Sequence, residues 1–300
     1  MAGPWERRPP RTLAAPSAEA GPRRPRPPRR GDDGPGPRGG EHAAAPAGPA
    51  PARPSRREEV RLYGLNAVLA VHGKRPQAIR KLYLLQSRVH ALRALLAWCV
   101  QHRVGYRVVE EADLDRLAGS SHHEGVVADV LRLPEQDLDA WLAALPAAAP
   151  ALAIWLDGVG NPHNFGAILR SAAHFGAAVL LPADSGLALS GAAARVAEGG
   201  AEAVPLVRLP QAAQAMARLR QAGFDLAATV VRGGDDLFAA PSPARRVYVM
   251  GAEGEGMDAG LAAACDRRLS IPGTGAVESL NVAAATAVFL ARWAAGRGAA

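Results

Sequence analysis

Leu152-Ala153-Ile154-Trp155-Leu156-Asp157-Gly158-Val159-Gly160-Asn161-Pro162-His163-Asn164-Phe165-Gly166-Ala167-Ile168-Leu169-Arg170-Ser171 runs from an apolar strand through a polar loop into a helix. The same rhythm continues to the end of the chain. Strands are expected at 152–156, 178–181, 204–207, 226–231, 247–250 and 269–271. Helices are expected at 164–175, 211–222, 258–264 and 279–295. Alternation of this kind predicts an α/β fold with a mostly parallel sheet covered on both faces. Ligands of such sheets bind beyond the carboxyl ends of the strands.

Three polar or glycine-rich clusters fall at such ends. In the first, Asn164 is placed to cap the helix that follows. Gly166 permits close backbone approach, and Arg170 lies six residues beyond Asn164, positioned to fork two hydrogen bonds onto a phosphate. The second, Gly251-Ala252-Glu253-Gly254-Glu255-Gly256-Met257, follows strand 247–250. It lacks the G-x-G-x-x-G spacing of dinucleotide sites. It reads either as an ordinary strand-ending turn or as a loop whose backbone wraps a ligand. The third, Ile271-Pro272-Gly273-Thr274-Gly275-Ala276-Val277-Glu278-Ser279-Leu280-Asn281-Val282, runs from a strand into an apolar helix. Ser279 or Asn281 caps that helix, or the exposed turn holds a cofactor.

The remainder of the chain sets the context. It has 300 residues, 49% hydrophobic and 21% charged, which predicts a globular protein with a full core. Of its net charge of +7, all lies in residues 1–57, with twelve Arg, no Lys and five acids. That stretch also carries fourteen Pro and almost no bulky apolar residue, so it is expected to be disordered. It is either a cationic arm for RNA phosphates or a solvated passenger. Residues 58–133 read as a small α/β domain. A helix begins at Tyr63–Leu69, strands lie at 81–85, 106–109 and 126–131, and Leu92, Leu95, Leu96 and Cys99 recur at helical spacing. Residues 134–150 read as a linker with a short helix near 138–145. Cys99 and Cys265 are too few and too widely separated for a disulfide framework or a metal site, and read as buried thiols in a reducing cytosol. No apolar run is long enough to span a membrane and no signal peptide is visible, so a cytoplasmic location is expected.

Taken together, the three clusters resemble the motifs of the SpoU/TrmH family of RNA ribose 2′-O-methyltransferases, within the SPOUT superfamily. Asn164, Gly166 and Arg170 meet its first element. Gly251, Glu253, Gly254 and Gly256 meet the second. Ile271, Pro272, Gly275, Ser279, Leu280 and Asn281 meet the third. Order and spacing fit across roughly 145 residues. Residues 58–133 resemble the family's small substrate-binding domain, through Tyr63-Gly64 and His123-Glu124-Gly125-Val126-Val127-Ala128. The resemblance implies a trefoil-knotted catalytic domain over 151–300, a homodimer and transfer of methyl from S-adenosylmethionine to a ribose in tRNA or rRNA. It implies cofactor contacts at Gly251, Ile271 and Leu280, with Thr229 on the pocket wall. Arg170 is its catalytic residue, Asn164 positions the nucleotide or Arg170, and Glu253, Ser279 and Asn281 complete a polar wall. Gly273 departs from the bulky apolar residue of many members, which implies either a looser adenine pocket or a differently shaped loop.

A free guanidinium is a poor base near neutral pH, and a nearby phosphate favours its charged form. Arg170 is therefore expected to act chiefly by orienting phosphate and ribose. Glu253 has a second reading, as an acceptor for loop N–H groups. His163, His122 and His123 are read as structural or RNA-facing, and the chemistry needs no metal. One alternative is an RNA-binding relative that transfers little or no methyl, for which Gly273 is the sole support. The other is a nucleotide-dependent oxidoreductase, disfavoured by the missing glycine pattern and the missing strand-end acid.

Overall fold

The computed structural model describes residues 58–252, 254 and 256–296. The arm expected to be disordered lies outside them.

A four-stranded sheet opens the described chain. Its strands are β1 (Glu59–Tyr63), β2 (Ile79–Leu84), β3 (Gly105–Val108) and β4 (Val126–Leu131), in the order β1-β4-β2-β3. Helices α1 (Leu65–Lys74), α2 (Arg93–Gln101) and α3 (Glu111–Ala118) connect them. The sequence reading missed β1 and α3. β1 alternates charged and apolar residues at the edge of the charge-rich arm, and pairs antiparallel with β4 from Glu59↔Leu131 to Tyr63↔Val127. Its cross-strand ion pair, Arg61 to Asp129 at 2.6 Å, comes from a partner 68 residues away. α3 buries only Leu114, too little for an apolar period to show.

The large sheet holds β5 (Gln136–Asp137), β6 (Ala151–Leu156), β7 (Ala178–Leu181), β8 (Leu206–Arg208), β9 (Asp225–Thr229), β10 (Asp235–Asp236), β11 (Arg245–Met250) and β12 (Arg267–Ser270). Their order is β10-β12-β9-β11-β6-β7-β8-β5, and every pairing is parallel. α4 (Leu138–Ala144), α5 (Pro162–Phe175), α6 (Gly191–Val196), α7 (Ala212–Gln221), α8 (Ala259–Ala264) and α9 (Val282–Ala295) complete the unit. All of β6 is buried, and its alternate residues feed two cores. Leu152, Ile154 and Leu156 join Phe165, Ile168 and Leu169 of α5 and Phe289, Leu290 and Trp293 of α9. Ala153 and Trp155 join Trp141 of α4 and Met216 and Leu219 of α7. Period-two alternation into two apolar layers is why the strand reads as an unbroken hydrophobic run. Residues 134–150, expected to be a linker, supply β5 and α4 to this unit.

α6 also escaped the sequence reading, because Gly191-Ala192-Ala193-Ala194 carries no bulky period. Its small residues permit backbone contact on two sides. A Cβ on Gly166 of α5 would lie 2.5 Å from the Ala193 carbonyl oxygen, and one on Gly191 would lie 2.5 Å from the Tyr63 ring. The close approach expected at Gly166 is thus made to α6. Gly166→Ala is expected to lower stability by about 1–3 kcal/mol, the usual cost of overpacking, read as a lower Tm in thermal unfolding.

α6 and the turn after it also carry the first sheet. The Arg75 guanidinium forks onto the Glu202 carboxylate at 2.6 and 2.9 Å, with both side chains largely buried. Asn66 donates to Glu198 at 2.6 Å, and Arg195 donates to the His122 carbonyl at 2.9 Å. His123 is buried beside this contact. Its Nδ1 accepts the Gly125 N–H at 2.9 Å, and its Nε2 lies 3.2 Å from Asp115 Oδ1, so the ring serves the turn.

At the amino ends of β9 and β11, Arg246 is fully buried. It donates to Asp225 and to the Pro241 carbonyl, and burial lowers its pKa. Asp225 also receives Arg267. Asp225→Ala leaves the buried guanidinium uncompensated, so a loss of about 3–5 kcal/mol is expected in denaturant unfolding.

Both thiols are free. Cys99 is buried, and burial pushes the half-buried Cys265 up to about 11. Among the described residues, no helix is long and apolar enough to cross a membrane.

Candidate active site

β11 lies between β6 and β9, and β12 flanks β9 on the other side. The loops leaving β6 and β11 therefore emerge side by side, with the loop leaving β12 at the same end of the sheet across β9, and these are the three clusters singled out in the sequence. The tertiary structure ties them together by specific bonds.

Asp157, just beyond β6, accepts the Asp258 N–H through Oδ2 at 3.1 Å. Gly158, at φ +75°, presses on Ala252, where an added Cβ would stand 3.0 Å from the Ala252 methyl. These contacts join the first and second clusters. The second is a tight hairpin, closed by reciprocal bonds between Ala252 and Gly256 at 2.9 and 3.0 Å. Gly254 and Gly256 adopt φ +91° and +80°, which a side chain would strain. Glu253 lies outside the described residues.

The first and third clusters meet through Asn281. Its Oδ1 accepts the N–H groups of Ala283 and Ala284 at 2.9 and 3.3 Å, so Asn281 caps α9. With the oxygen fixed, the amide nitrogen faces Asn164 and donates to its Oδ1 at 3.1 Å. This bond spans 117 residues of sequence. Two expectations about the helix starts are corrected here. α5 is capped by Asn161, whose Oδ1 accepts the His163 N–H at 2.8 Å, and Pro162 occupies its first turn. Asn164 thus sits inside the helix, and its side chain is given to Asn281. α9 starts at Val282 rather than Ser279, because Asn281 provides two capping bonds while Ser279 stays in the loop.

Arg170 is exposed on α5, about 12 Å along the helix from Pro162 at 1.5 Å per residue. Gly200 stands behind it, with space so limited that a Cβ there would lie 3.1 Å from the Arg170 Cα. Nothing in the sequence marked Gly200, because its neighbour lies thirty residues upstream. The Thr229 hydroxyl donates to the Val249 carbonyl at 2.9 Å, so it braces β9 against β11.

A cofactor held by backbone groups fits this arrangement. Gly251, Ile271 and Leu280 lie beyond the carboxyl ends of β11 and β12, and their main-chain polar groups take no partner within the described chain. A Cβ on Gly251 would strike the Met257 nitrogen at 2.5 Å, so its backbone can face a ligand only as glycine. Gly273 opens onto free space, with nothing within 4 Å of where its Cβ would stand.

Comparison with known proteins agrees with this geometry. Residues 151–291 match the SpoU rRNA Methylase family, and 61–136 match the RNA 2′-O ribose methyltransferase substrate binding family. The chain is 38% identical over 234 residues to the 23S rRNA (guanosine-2′-O-)-methyltransferase RlmB of Vibrio vulnificus, covering 76% of this chain and 94% of the relative. It is 37% identical over 241 residues to the uncharacterized tRNA/rRNA methyltransferase YfiF of Escherichia coli, covering 80% and 69%. The fold is shared with the SpoU methyltransferase AviRb of Streptomyces viridochromogenes, crystallised with AdoMet. That match has a TM-score of 0.67 at 24% identity and covers 82% of this chain and 93% of that one. With its motif loops converging at one end of a parallel sheet, and with a relative matched over nearly its whole length, the chain belongs to the SpoU family of S-adenosylmethionine-dependent RNA ribose 2′-O-methyltransferases.

Proposed function

We propose that the protein methylates the ribose 2′-hydroxyl of a guanosine in 23S rRNA. The observation that carries this reading is the Asn281–Asn164 bond, which draws the cofactor-side loop and the Arg170 helix into one site. The RlmB relatives supply the substrate class.

S-adenosylmethionine supplies an electrophilic methyl on a sulfonium, open to in-line attack by a ribose oxygen. In this chain the backbone groups of Gly251, Ile271 and Leu280 would hold it. Asn164 and Asn281, locked together, would orient the ribose. The Ser279 hydroxyl has no partner within the described chain and is available to the same sugar. Arg170 would grip the phosphate with its planar guanidinium fork and align the ribose for attack. Glu253 would complete the polar wall.

Two further features belong to this reading. The path is knotted, a reading supported by membership of the SpoU family and by the fold shared with AviRb. The enzyme is a homodimer, supported by exposed Val231, Phe238, Val277 and Leu280 in the segments that follow β9, β10 and β12; a cytoplasmic location is in keeping with its rRNA-modifying relatives. Sedimentation should then give twice the chain mass.

Binding of S-adenosylmethionine, followed by transfer of its labelled methyl to transcribed 23S rRNA, tests the reading. Saturating cofactor should raise Tm through linkage. No heat of binding and no Tm shift, with or without RNA, would refute it. RNA binding without methyl incorporation would favour the non-transferring alternative.

Residues 1–57 are proposed to contact RNA phosphates. Deleting them should weaken rRNA binding and flatten its salt dependence, because fewer counterions are released. An unchanged slope in a salt titration would make this arm a passenger.

A further inference from the structure

A cavity of about 520 Å³ opens between the β6–α5 and β7–α6 loops. Asp157, Gly158, Gly160, Asp184, Ser185 and Ser190 are among its walls. It is distinct from the backbone groups assigned to the cofactor, since none of Gly251, Ile271 and Leu280 lines it. The two regions share a wall. The 157–160 loop bounds the cavity on one side and meets the 251–258 hairpin on the other, through Asp157–Asp258 and Gly158–Ala252. We propose that this cavity receives the base of the methylated nucleotide and that Asp184 reads the Watson–Crick edge of a guanine. The proposal rests on the ribose-methylation reading above.

Its volume lies within the usual range for small-ligand sites, about 300–1,000 Å³. No Lys or Arg lines it, so it is not built for phosphate. Its lip is held in place before any ligand arrives. Arg208 of β8 donates to the Pro182 carbonyl at 3.0 Å and the Ser185 carbonyl at 2.9 Å. Arg208 is itself fixed by Glu135 at 2.9 and 2.7 Å. Ser185 Oγ accepts the Leu187 N–H at 3.2 Å, and Ser190 Oγ accepts the Ala193 N–H at 3.2 Å. Each hydroxyl keeps its proton to donate.

Asp184, exposed on this lip, has no hydrogen-bond or ion-pair partner within the described chain. Asp157, by contrast, already spends one oxygen on Asp258. A free carboxylate offers two parallel acceptors. Guanine alone presents two adjacent donors, N1–H and N2–H₂, on its Watson–Crick edge, with O6 beside them for a serine hydroxyl. Adenine and cytosine place an acceptor beside their single amino donor, and uracil flanks one donor with acceptors. Those bases would set a lone pair against the carboxylate.

The test uses the full-length protein and transcribed 23S rRNA, first mapping the methylated nucleotide and then placing inosine there. Inosine lacks the N2 amino group. The wild-type protein should lose about tenfold in kcat/KM on inosine, on the usual scale for one recognised base edge. Asp184→Asn, exposed and nearly isosteric, should lose about tenfold or more on guanosine and no longer distinguish the two bases. Cofactor affinity should stay unchanged by calorimetry. Ala188→Trp, which fills the cavity from an exposed position, should abolish turnover on RNA while cofactor binding and Tm are kept. Full turnover by Ala188→Trp, or an Asp184→Asn variant with the wild-type rate and guanosine preference, overturns the base site while leaving ribose methylation intact. A wild-type protein that binds cofactor and methylates no RNA removes both readings.

Discussion

Arg170→Lys is expected to lower methyl transfer by at least about a hundredfold, the scale of a lost transition-state alignment. Lys keeps the charge but loses the planar fork that fixes a phosphate from two sides. The side chain is exposed on α5, so the substitution should not disturb the core, and Tm should hold. The groups assigned to the cofactor lie on the β11 and β12 loops, so cofactor affinity should hold as well. A single-turnover assay at saturating RNA separates two roles. If Arg170 grips phosphate, RNA affinity falls along with turnover. If it handles the proton, turnover falls alone, and raising the pH restores part of the rate, because the ε-ammonium of lysine deprotonates more readily than a guanidinium. Near-normal transfer by Arg170→Lys would remove Arg170 from the site.

Gly251→Val is expected to abolish measurable cofactor binding. A Cβ at this position would stand 2.5 Å from the Met257 nitrogen and 2.6 Å from the Gly256 carbonyl carbon, both backbone atoms of the hairpin. The hairpin must open to admit the side chain, and its two closing bonds are then lost. Calorimetry should show an affinity weakened by more than about a hundredfold, equivalent to about 2.7 kcal/mol. Gly273→Ala is the matched control. Its Cβ enters open space, so cofactor binding should be little changed. Equal affinity in Gly251→Val and the wild type would detach this hairpin from the cofactor site.

The sequence by itself determined the parallel α/β class, the core strands β6 and β11, and the three clusters at strand ends. Those features are local. Six consecutive apolar residues in β6, or Asn281 followed by an apolar helix, carry their meaning within one short window. Tertiary structure decided what depends on distant partners. β1 is a strand because β4 pairs with it, and α6 is a helix where Gly166 and Tyr63 permit its close packing. Asn164 looked like a cap from its neighbours alone, but Asn161 holds that position, and Asn164 instead meets a residue 117 positions later. The same holds for Gly200 behind Arg170 and for the cavity walled by Asp184. Each is made by segments that only the folded chain brings together, and a one-dimensional pattern carries no signal for contacts fixed by packing rather than by local backbone preference.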